Sequence, residues 1–224
     1  MVVFRINIWK GCFTILPNTH VIIANKLYET LKRDYNIKLN KKWLAWGAVS
    51  PDVLPQYKIV RHYKEYSIDF LVNEIVSLIY LAKIFDFKNL DRVKRKYLSK
   101  KLGVISHFLC DYMCFPHKEN MTFKGSFREH CKYEKDLNKF AKSHVFTENV
   151  IKLEPIDLFE FETVNLKQLV INYIDKVEEE YSKSVSFERD LDFALNLSLN
   201  MSCFIVEVAE ALAAEKDLRY SFVF

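Results

Sequence analysis

The segment LGVISHFLCDYMCFPH, residues Leu102–His117, decides how the rest of the chain is interpreted. Its apolar residues recur at helical spacing as far as Pro116, and a proline disfavours helical geometry in the residue before it. His107 and Asp111 are four residues apart, so both side chains project from one face of this helix. A polar pair in so apolar a helix needs a buried partner, and a metal ion can be that partner.

The segment FREHCKYEKDL, residues 127–137, repeats the pattern of a histidine and an acid four residues apart. Ser126 and Glu129 have the spacing of a capping box, which predicts that a helix begins there. His130 and Glu134 then lie in its first two turns and share a face. Histidine nitrogens and carboxylate oxygens are both common zinc ligands.

His117 stands between the two helices, directly after the break at Pro116. We predict that it lies in a loop and reaches the second pair, which gives a site with three protein ligands and an open position for water. The residues by themselves leave another interpretation open, in which the pairs are satisfied polar groups of the core or surface pairs without a metal.

The rest of the chain predicts an all-α fold, a compact multi-helix bundle. Only four glycines and five prolines occur, and strand-like alternation is scarce. A chain of 224 residues can bury one good-sized core, so we predict a single domain over residues 1–224.

Asn18 or Thr19 is expected to cap the first helix, Asn36 to Asn40 to interrupt the pattern, and Pro51 and Pro55 to bracket a turn. Further helices are predicted at 63–85, which should pack centrally, between Asn89 and Pro116, at 166–182 and at 187–215, with a connection at 146–163.

Charge, hydropathy and cysteines exclude some classes of protein. The net charge is +4, from 33 basic and 29 acidic residues without a run of like charges, so we expect no dedicated nucleic-acid-binding region. A mild attraction to anionic surfaces leaves peripheral contact with a membrane open. We expect no transmembrane segment and no signal peptide, hence a cytoplasmic protein as the sequence stands, with a processed, secreted form left open. Five cysteines without CxxC spacing argue against a disulfide framework.

The two histidine segments together resemble the signature of the zinc-dependent phospholipases C. That pattern is His, three residues, Asp, five residues, His, about a dozen residues, His, three residues, Glu, and every element is present here. The resemblance extends upstream to His20 in NTHVIIANKLYETL, Asp52 in GAVSPD and His62 in IVRHYKEY. It covers residues from about 9 to 140 and implies the helical catalytic domain of that family. Toxic members also carry a lipid-binding β-sandwich, which we do not expect here because nothing strand-like follows the last predicted helix.

The resemblance also implies the ligands of two or three zinc ions. One ion would be held by His117, His130 and Glu134, and another by Asp52, His62, His107 and Asp111. Asp111 would bridge to a third ion. In the family that ion is also held by the counterpart of His20 and by a processed N-terminal tryptophan. Trp9 is the analogue here, but it is internal in the sequence, so occupancy of the third site is an open question.

The function implied is zinc-dependent hydrolysis of a phosphodiester, most simply of phospholipid headgroups. Asp111 and Asp52 are the expected catalytic residues, the first as a metal bridge and the second as acceptor of the proton from the attacking water. Two alternatives stay open: a nuclease or other phosphoesterase of the same fold, and a metal-stabilised helical binding module without turnover.

The sequence does not determine the oligomeric state. Cys110 and Cys114 are expected to pack in the core, His144 to lie on the surface, and Tyr57, Tyr63 and Tyr66 to line a headgroup pocket.

Overall fold

A computed structural model of the chain describes residues 16–57, 59–82, 84–85, 90–121, 126–153 and 165–221. These ranges are built from α-helices and contain no strand, which confirms the predicted all-α fold. The helices are α1 (Leu16–Asp34), α2 (Lys41–Val53), α3 (Lys64–Ala82), α4 (Arg92–Tyr112), α5 (Phe115–Lys118), α6 (Phe127–Ala141), α7 (Leu166–Tyr181) and α8 (Phe187–Ser221), with a 3-10 turn at Pro55–Tyr57 between α2 and α3.

Helix α4 lies at the centre of the fold together with α8, and it packs against α1, α2, α3 and α8. Every residue from Leu102 to Tyr112 is buried, so this part of α4 has no solvent face. Helix α3, which the sequence suggested as the central helix, packs against α4, α7 and α8 instead. The histidine and the aspartate of α4 therefore lie in the interior of the helical bundle.

Two glycines allow α2 and α4 to approach each other backbone to backbone. A Cβ atom built on Gly103 would lie 2.2 Å from the carbonyl oxygen of Leu44, and one built on Gly47 would collide equally with the backbone of α4. The absence of a side chain at both positions is therefore required for this crossing. One turn beyond it, His107 Nδ1 lies 2.9 Å from the carbonyl oxygen of Ala48, so the crossing reaches the predicted site.

Pro51 lies inside α2, which corrects the predicted turn between Pro51 and Pro55. Proline has no amide hydrogen to donate to the carbonyl four residues earlier, that of Gly47. The Ser50 hydroxyl donates to this carbonyl at 2.9 Å instead, so the helix continues to Val53. Asp52 consequently belongs to the last turn of a helix and not to a loop.

The beginning of α1 also differs from the prediction. The helix starts at Leu16, so Asn18 and Thr19 lie inside it and neither caps it. The predicted interruption after α1 is confirmed, because Asn36 adopts a positive φ of 52°, a conformation that asparagine tolerates. Asn40 then caps α2 by accepting a hydrogen bond from a backbone amide at 3.1 Å.

The segment around His117 is more regular than predicted. His117 lies in the short helix α5 and not in a loop, with Pro116 near its N-terminus, where proline is tolerated. Ser126 does precede α6, as the capping box predicts, but its side chain makes no capping hydrogen bond.

Helix α8 is long and apolar enough to cross a membrane by length and composition alone. The most apolar 18-residue window within Phe187–Ala214 has a mean hydropathy of 1.5, and the expected absence of a transmembrane segment stays a prediction. Of its most apolar window, 56% is buried among the other helices, as in a core helix. This helix contacts α1, α3, α4, α6 and α7.

Two polar side chains depart from the sequence expectations. His144 is partly buried, its side chain is 8% exposed, and its Nε2 lies 2.7 Å from Asp192 Oδ1, so it is not the surface residue that the sequence suggested. Cys131 is disulfide-bonded, whereas Cys110, Cys114 and Cys203 are free buried thiols. The expected absence of disulfides is therefore wrong for Cys131, while the expected packing of the two cysteines that flank Asp111 is confirmed.

Candidate metal centre

The eight predicted ligands are far apart in sequence but lie close together in the fold. Their donor atoms form three groups of three, in each of which all atoms are within 4.8 Å of one another. The first two groups share one histidine, so they form one larger cluster. The groups are His20, Asp52 and His107; His62, His107 and Asp111; and His117, His130 and Glu134. Trp9, the remaining expected ligand, lies outside the described residues.

Asp111 is at the centre of this arrangement and is 2% exposed. Its Oδ2 lies 3.0 Å from His62 Nδ1 and 3.3 Å from His107 Nε2. Its Oδ1 lies 3.3 Å from His20 Nε2 and 4.0 Å from His117 Nε2. One carboxylate therefore faces histidines of all three groups, which is the geometry that a bridging ligand needs.

The spacing within the second group suits a zinc ion. His62 Nδ1 and His107 Nε2 are 3.2 Å apart, so with Asp111 Oδ2 they form a nearly regular triangle. Ligands of tetrahedral zinc at about 2.0–2.1 Å are separated by roughly 3.3–3.4 Å from one another. The three donor atoms thus already stand close to the separations that one tetrahedral ion requires.

The third group is equally compact. His117 Nε2 lies 3.1 Å and His130 Nε2 lies 2.5 Å from the same atom, Glu134 Oε1. All three side chains are buried. The helical offset of four residues brings His130 and Glu134 onto one face of α6, and α5 adds His117 from outside that helix.

Backbone carbonyls fix the orientation of two of the imidazoles. His107 Nδ1 donates to Ala48 O at 2.9 Å, and His130 Nδ1 donates to Met121 O at 2.9 Å. A carbonyl can only accept, so in both rings Nδ1 carries a proton and Nε2 is the nitrogen directed at the cluster. Metal-ligating histidines are typically held by such outer contacts.

Buried polar atoms without a hydrogen-bond partner concentrate at this cluster. The described residues contain six such side-chain atoms, and five belong to predicted ligands: both ring nitrogens of His20, Asp52 Oδ2, Asp111 Oδ2 and His117 Nδ1. Each buried group left unpaired costs about 1–3 kcal/mol. A bound cation would satisfy the carboxylate oxygens and the unprotonated nitrogens, so the residues present fit a metal centre.

Burial and charge shift the ionisation of the ligands in opposite directions. Burial alone would raise the pKa of Asp111, but the imidazoles of His107 and His117 hold it well below its usual value. Burial would lower the pKa of His107, yet the Asp111 and Asp52 carboxylates raise it to about 9. For His20, burial and the neighbouring His107 lower the pKa. Asp111 is therefore ionised, as a metal ligand must be.

Asp52 is held more loosely than the other acids. Its Oδ1 lies 3.7 Å from His62 Nδ1 and 3.8 Å from His107 Nε2, and its side chain is 10% exposed. Its Oδ2 has no hydrogen-bond partner. This carboxylate consequently has one oxygen near the imidazoles and one that is free to interact with another group.

Comparison with known proteins agrees with this geometry. The family model described as zinc dependent phospholipase C matches residues 19–191, a range that includes all eight predicted ligands. The chain belongs to the zinc-dependent phospholipase C family. Searches of curated proteins and of solved structures each find no match. Membership of this family supports a zinc-dependent, phospholipase C-like hydrolase, and the family's zinc dependence agrees with the three groups of ligand atoms.

A pocket of about 400 Å³ opens onto Asp111 and His117. Much of the remaining lining comes from α3 and α7, which the sequence did not indicate because they carry no recognisable motif. Lys64 of α3 forms ion pairs with two acids of α7, Asp175 at 2.6 Å and Glu178. The apolar wall consists of Ile68 and Ile171.

The three tyrosines predicted to line a headgroup pocket do not line this one. Tyr57 packs edge-on against Phe70, and Tyr66 is 55% exposed. Tyr63 lies beside the ring of His117, with 5.7 Å between centroids, and its hydroxyl donates to Met121 O at 3.2 Å. Of the three, Tyr63 is therefore the one in contact with a predicted ligand.

Proposed function

We propose that this member of the family is a phosphodiesterase of the phospholipase C type, which cleaves the bond between phosphorus and the glycerol oxygen of a phospholipid. The position of Asp111 carries the proposal. This carboxylate contacts histidines of the clustered groups and also lines the 400 Å³ pocket. A metal-binding cluster with a wall open to a pocket suits an exchangeable ligand better than a closed structural site does.

In this proposal the eight ligands hold two or three zinc ions. When bound, zinc lowers the pKa of a coordinated water toward about 7 and neutralises the non-bridging oxygens of the phosphate. The chain supplies the rest: Asp111 fixes the spacing between ligand groups, and the backbone contacts of His107 and His130 keep their Nε2 atoms directed at the cluster.

Asp52 is the proposed proton acceptor. Its unpaired Oδ2 takes the proton of the attacking water while the water oxygen bonds to phosphorus. The bond between phosphorus and the glycerol oxygen then breaks, and that oxygen takes up a proton to leave as diacylglycerol. The headgroup leaves with the phosphate.

Two isosteric variants separate metal binding from proton transfer. Asp111→Asn should lose zinc and hydrolysis together, because it removes charge from the centre of the cluster. Asp52→Asn should retain most of the zinc but lose hydrolysis by about 100-fold or more, as expected for removal of a general base. Asp69→Asn, at an exposed position on α3, is the matched control. An Asp111→Asn variant with full zinc content and turnover would contradict the proposal.

The substrate is tested by parallel assays on phosphatidylcholine and single-stranded DNA. Release of phosphocholine and diacylglycerol supports the phospholipase C type. Hydrolysis of DNA alone would favour the nuclease of the same architecture. Tightly bound zinc with no hydrolysis of either substrate would favour the non-catalytic binding module.

We also propose that the segment between Asp52 and His62 contacts the surface of a phospholipid bilayer. Val53 directly follows Asp52 and is 45% exposed. Ile59 lies three residues before His62 and is 87% exposed. Arg61 is also exposed and could pair with lipid phosphates. An apolar side chain beside a cation suits the interface of an anionic bilayer.

Sedimentation with phosphatidylglycerol vesicles tests this surface. Burial of one isoleucine contributes about 1.5–3 kcal/mol, so Ile59→Asp should weaken vesicle binding at least tenfold. Val145→Asp is the matched control, because Val145 is 86% exposed. Equal vesicle binding by both variants would contradict the assignment of this surface.

A further inference from the structure

Asp190, in the first turn of α8, is not among the predicted ligands but is joined to the helices that carry three of them. It is 2% exposed. Its Oδ2 accepts from the Phe115 amide at 3.3 Å and from the Tyr133 hydroxyl at 2.8 Å. Its Oδ1 accepts from the Tyr181 hydroxyl at 2.6 Å. One buried carboxylate therefore joins α5, α6 and α7 to α8.

The first of these bonds replaces a missing helix cap. Phe115 is the first residue of α5, and the N-cap residue Cys114 provides no side-chain hydrogen bond. The Phe115 amide would otherwise lack an acceptor, as the first amides of a helix do. Asp190 thus fixes the start of α5 from another helix, two residues before His117.

The second bond acts on α6, directly beside a ligand. Tyr133 precedes Glu134, and its ring packs against that of Phe115 with 5.5 Å between centroids. The same oxygen of Asp190 therefore holds both helices close to the point where His117 Nε2 and Glu134 Oε1 are 3.1 Å apart.

We propose that Asp190 is a positioning residue for the zinc site of His117, His130 and Glu134. Its Oδ2 sets the separation of α5 from α6 and with it the distance between the ligand atoms. The proposal rests on the proposed function, because it requires that these three residues hold zinc. The Tyr181 bond has a different role, since it anchors the other oxygen to a helix without a predicted ligand.

The two tyrosines provide a matched test. Tyr133→Phe and Tyr181→Phe each remove one hydroxyl donor from Asp190, but only the first loosens a helix that carries ligands. Zinc affinity is measured on the full chain by competition with a chromogenic chelator, and zinc per chain by elemental analysis. The zinc ion that Glu134→Gln no longer binds is the one assigned to His117, His130 and Glu134. Loss of an outer-shell partner typically weakens metal binding by about 10–100-fold.

We expect Tyr133→Phe to weaken the affinity for this zinc ion about tenfold and Tyr181→Phe to weaken it less than about threefold. Asp190→Ala should weaken it at least as much as Tyr133→Phe does. Asp190→Asn should restore most of the affinity, because its amide oxygen can still accept from both helices. Burial already raises the pKa of Asp190 to about 6, so a neutral side chain is compatible with this environment.

Equal losses of zinc affinity in the two tyrosine variants would overturn the proposal, because they would indicate a general structural effect. If Asp190→Ala does not fold, the comparison of zinc affinity between the two tyrosine variants still tests the proposal. A wild-type chain that takes up zinc while Glu134→Gln has unchanged zinc content refutes the ligand set. A chain that takes up no zinc at all refutes the proposed function as well.

Discussion

Replacement of Gly103 by alanine tests how the helix crossing controls the metal centre. The added Cβ would lie 2.2 Å from Leu44 O, 2.7 Å from Ala48 N and 2.8 Å from Gly47 Cα, whereas ordinary contact begins at 3.4 Å. All three neighbours are backbone atoms, so no side chain can rotate away. Helices α2 and α4 must therefore separate by more than 1 Å.

Two effects of this substitution oppose each other. Alanine is favoured over glycine inside a helix by about 1 kcal/mol. Overpacking of a close contact costs about 1–3 kcal/mol, and backbone neighbours place this case at the upper end. We expect a net loss of about 1–2 kcal/mol, which lowers the midpoint of thermal unfolding by roughly 2–8 °C in a chain of this size.

The same separation should weaken zinc binding. The bond from His107 Nδ1 to Ala48 O is 2.9 Å long and lies one turn from Gly103, so an increase of about 1 Å breaks it. Loss of such an orienting contact weakens metal binding by about 10–100-fold. Unfolding midpoints and zinc competition are measured together, with Val93→Ala, an exposed change on the same helix, as the control for helix propensity. A Gly103→Ala chain as stable as wild type, with unchanged zinc affinity, would refute this reasoning.

Further predictions concern the metal, the pair of His144 and Asp192, and the cysteines. Zinc at about 1,000 times its dissociation constant should stabilise the fold by about 4 kcal/mol, and an unfolding midpoint that does not respond to a chelator would contradict binding to the folded state. Glu134→Gln should remove one zinc per chain by elemental analysis, and full zinc content would exclude it as a ligand. His144→Ala removes the 2.7 Å partner of Asp192 Oδ1, which keeps the Thr147 amide at 3.0 Å, and should cost about 1–2 kcal/mol in denaturant unfolding with zinc content unchanged; zinc loss would link this pair to the centre. In the unfolded, unreduced chain Cys110, Cys114 and Cys203 should react with a thiol reagent and Cys131 should not, as read by peptide mapping; labelling of Cys131 would exclude its disulfide.

Local sequence signals predicted the helices well where they reflect short-range physics. Asp91 caps α4 just after the predicted start of a helix at Asn89. The sequence analysis did not predict α2, although Asn40, which caps it, is a common capping residue. Pro51 misled the prediction because the Ser50 hydroxyl compensates for the missing amide hydrogen. That compensation depends on the actual helix and is not visible in a proline-bounded motif.

Ligand spacing is a second property that the sequence carries. His107 with Asp111, and His130 with Glu134, are four residues apart, so helix geometry alone brings each pair onto one face. The resemblance to the zinc-dependent phospholipases C, which the family match confirms, added His20, Asp52 and His62. Their approach to α4 could not follow from spacing, because they come from three other parts of the chain.

By itself, therefore, the sequence determined the all-α class, the family and the residues able to ligate a metal, because helix periodicity and ligand chemistry are local. Tertiary structure alone decided that Asp111 contacts histidines of several helices, that Gly47 and Gly103 allow the crossing that orients His107, and that Asp190 joins α5 to α6. These contacts join residues distant in the chain, and they form only when packing brings the helices together.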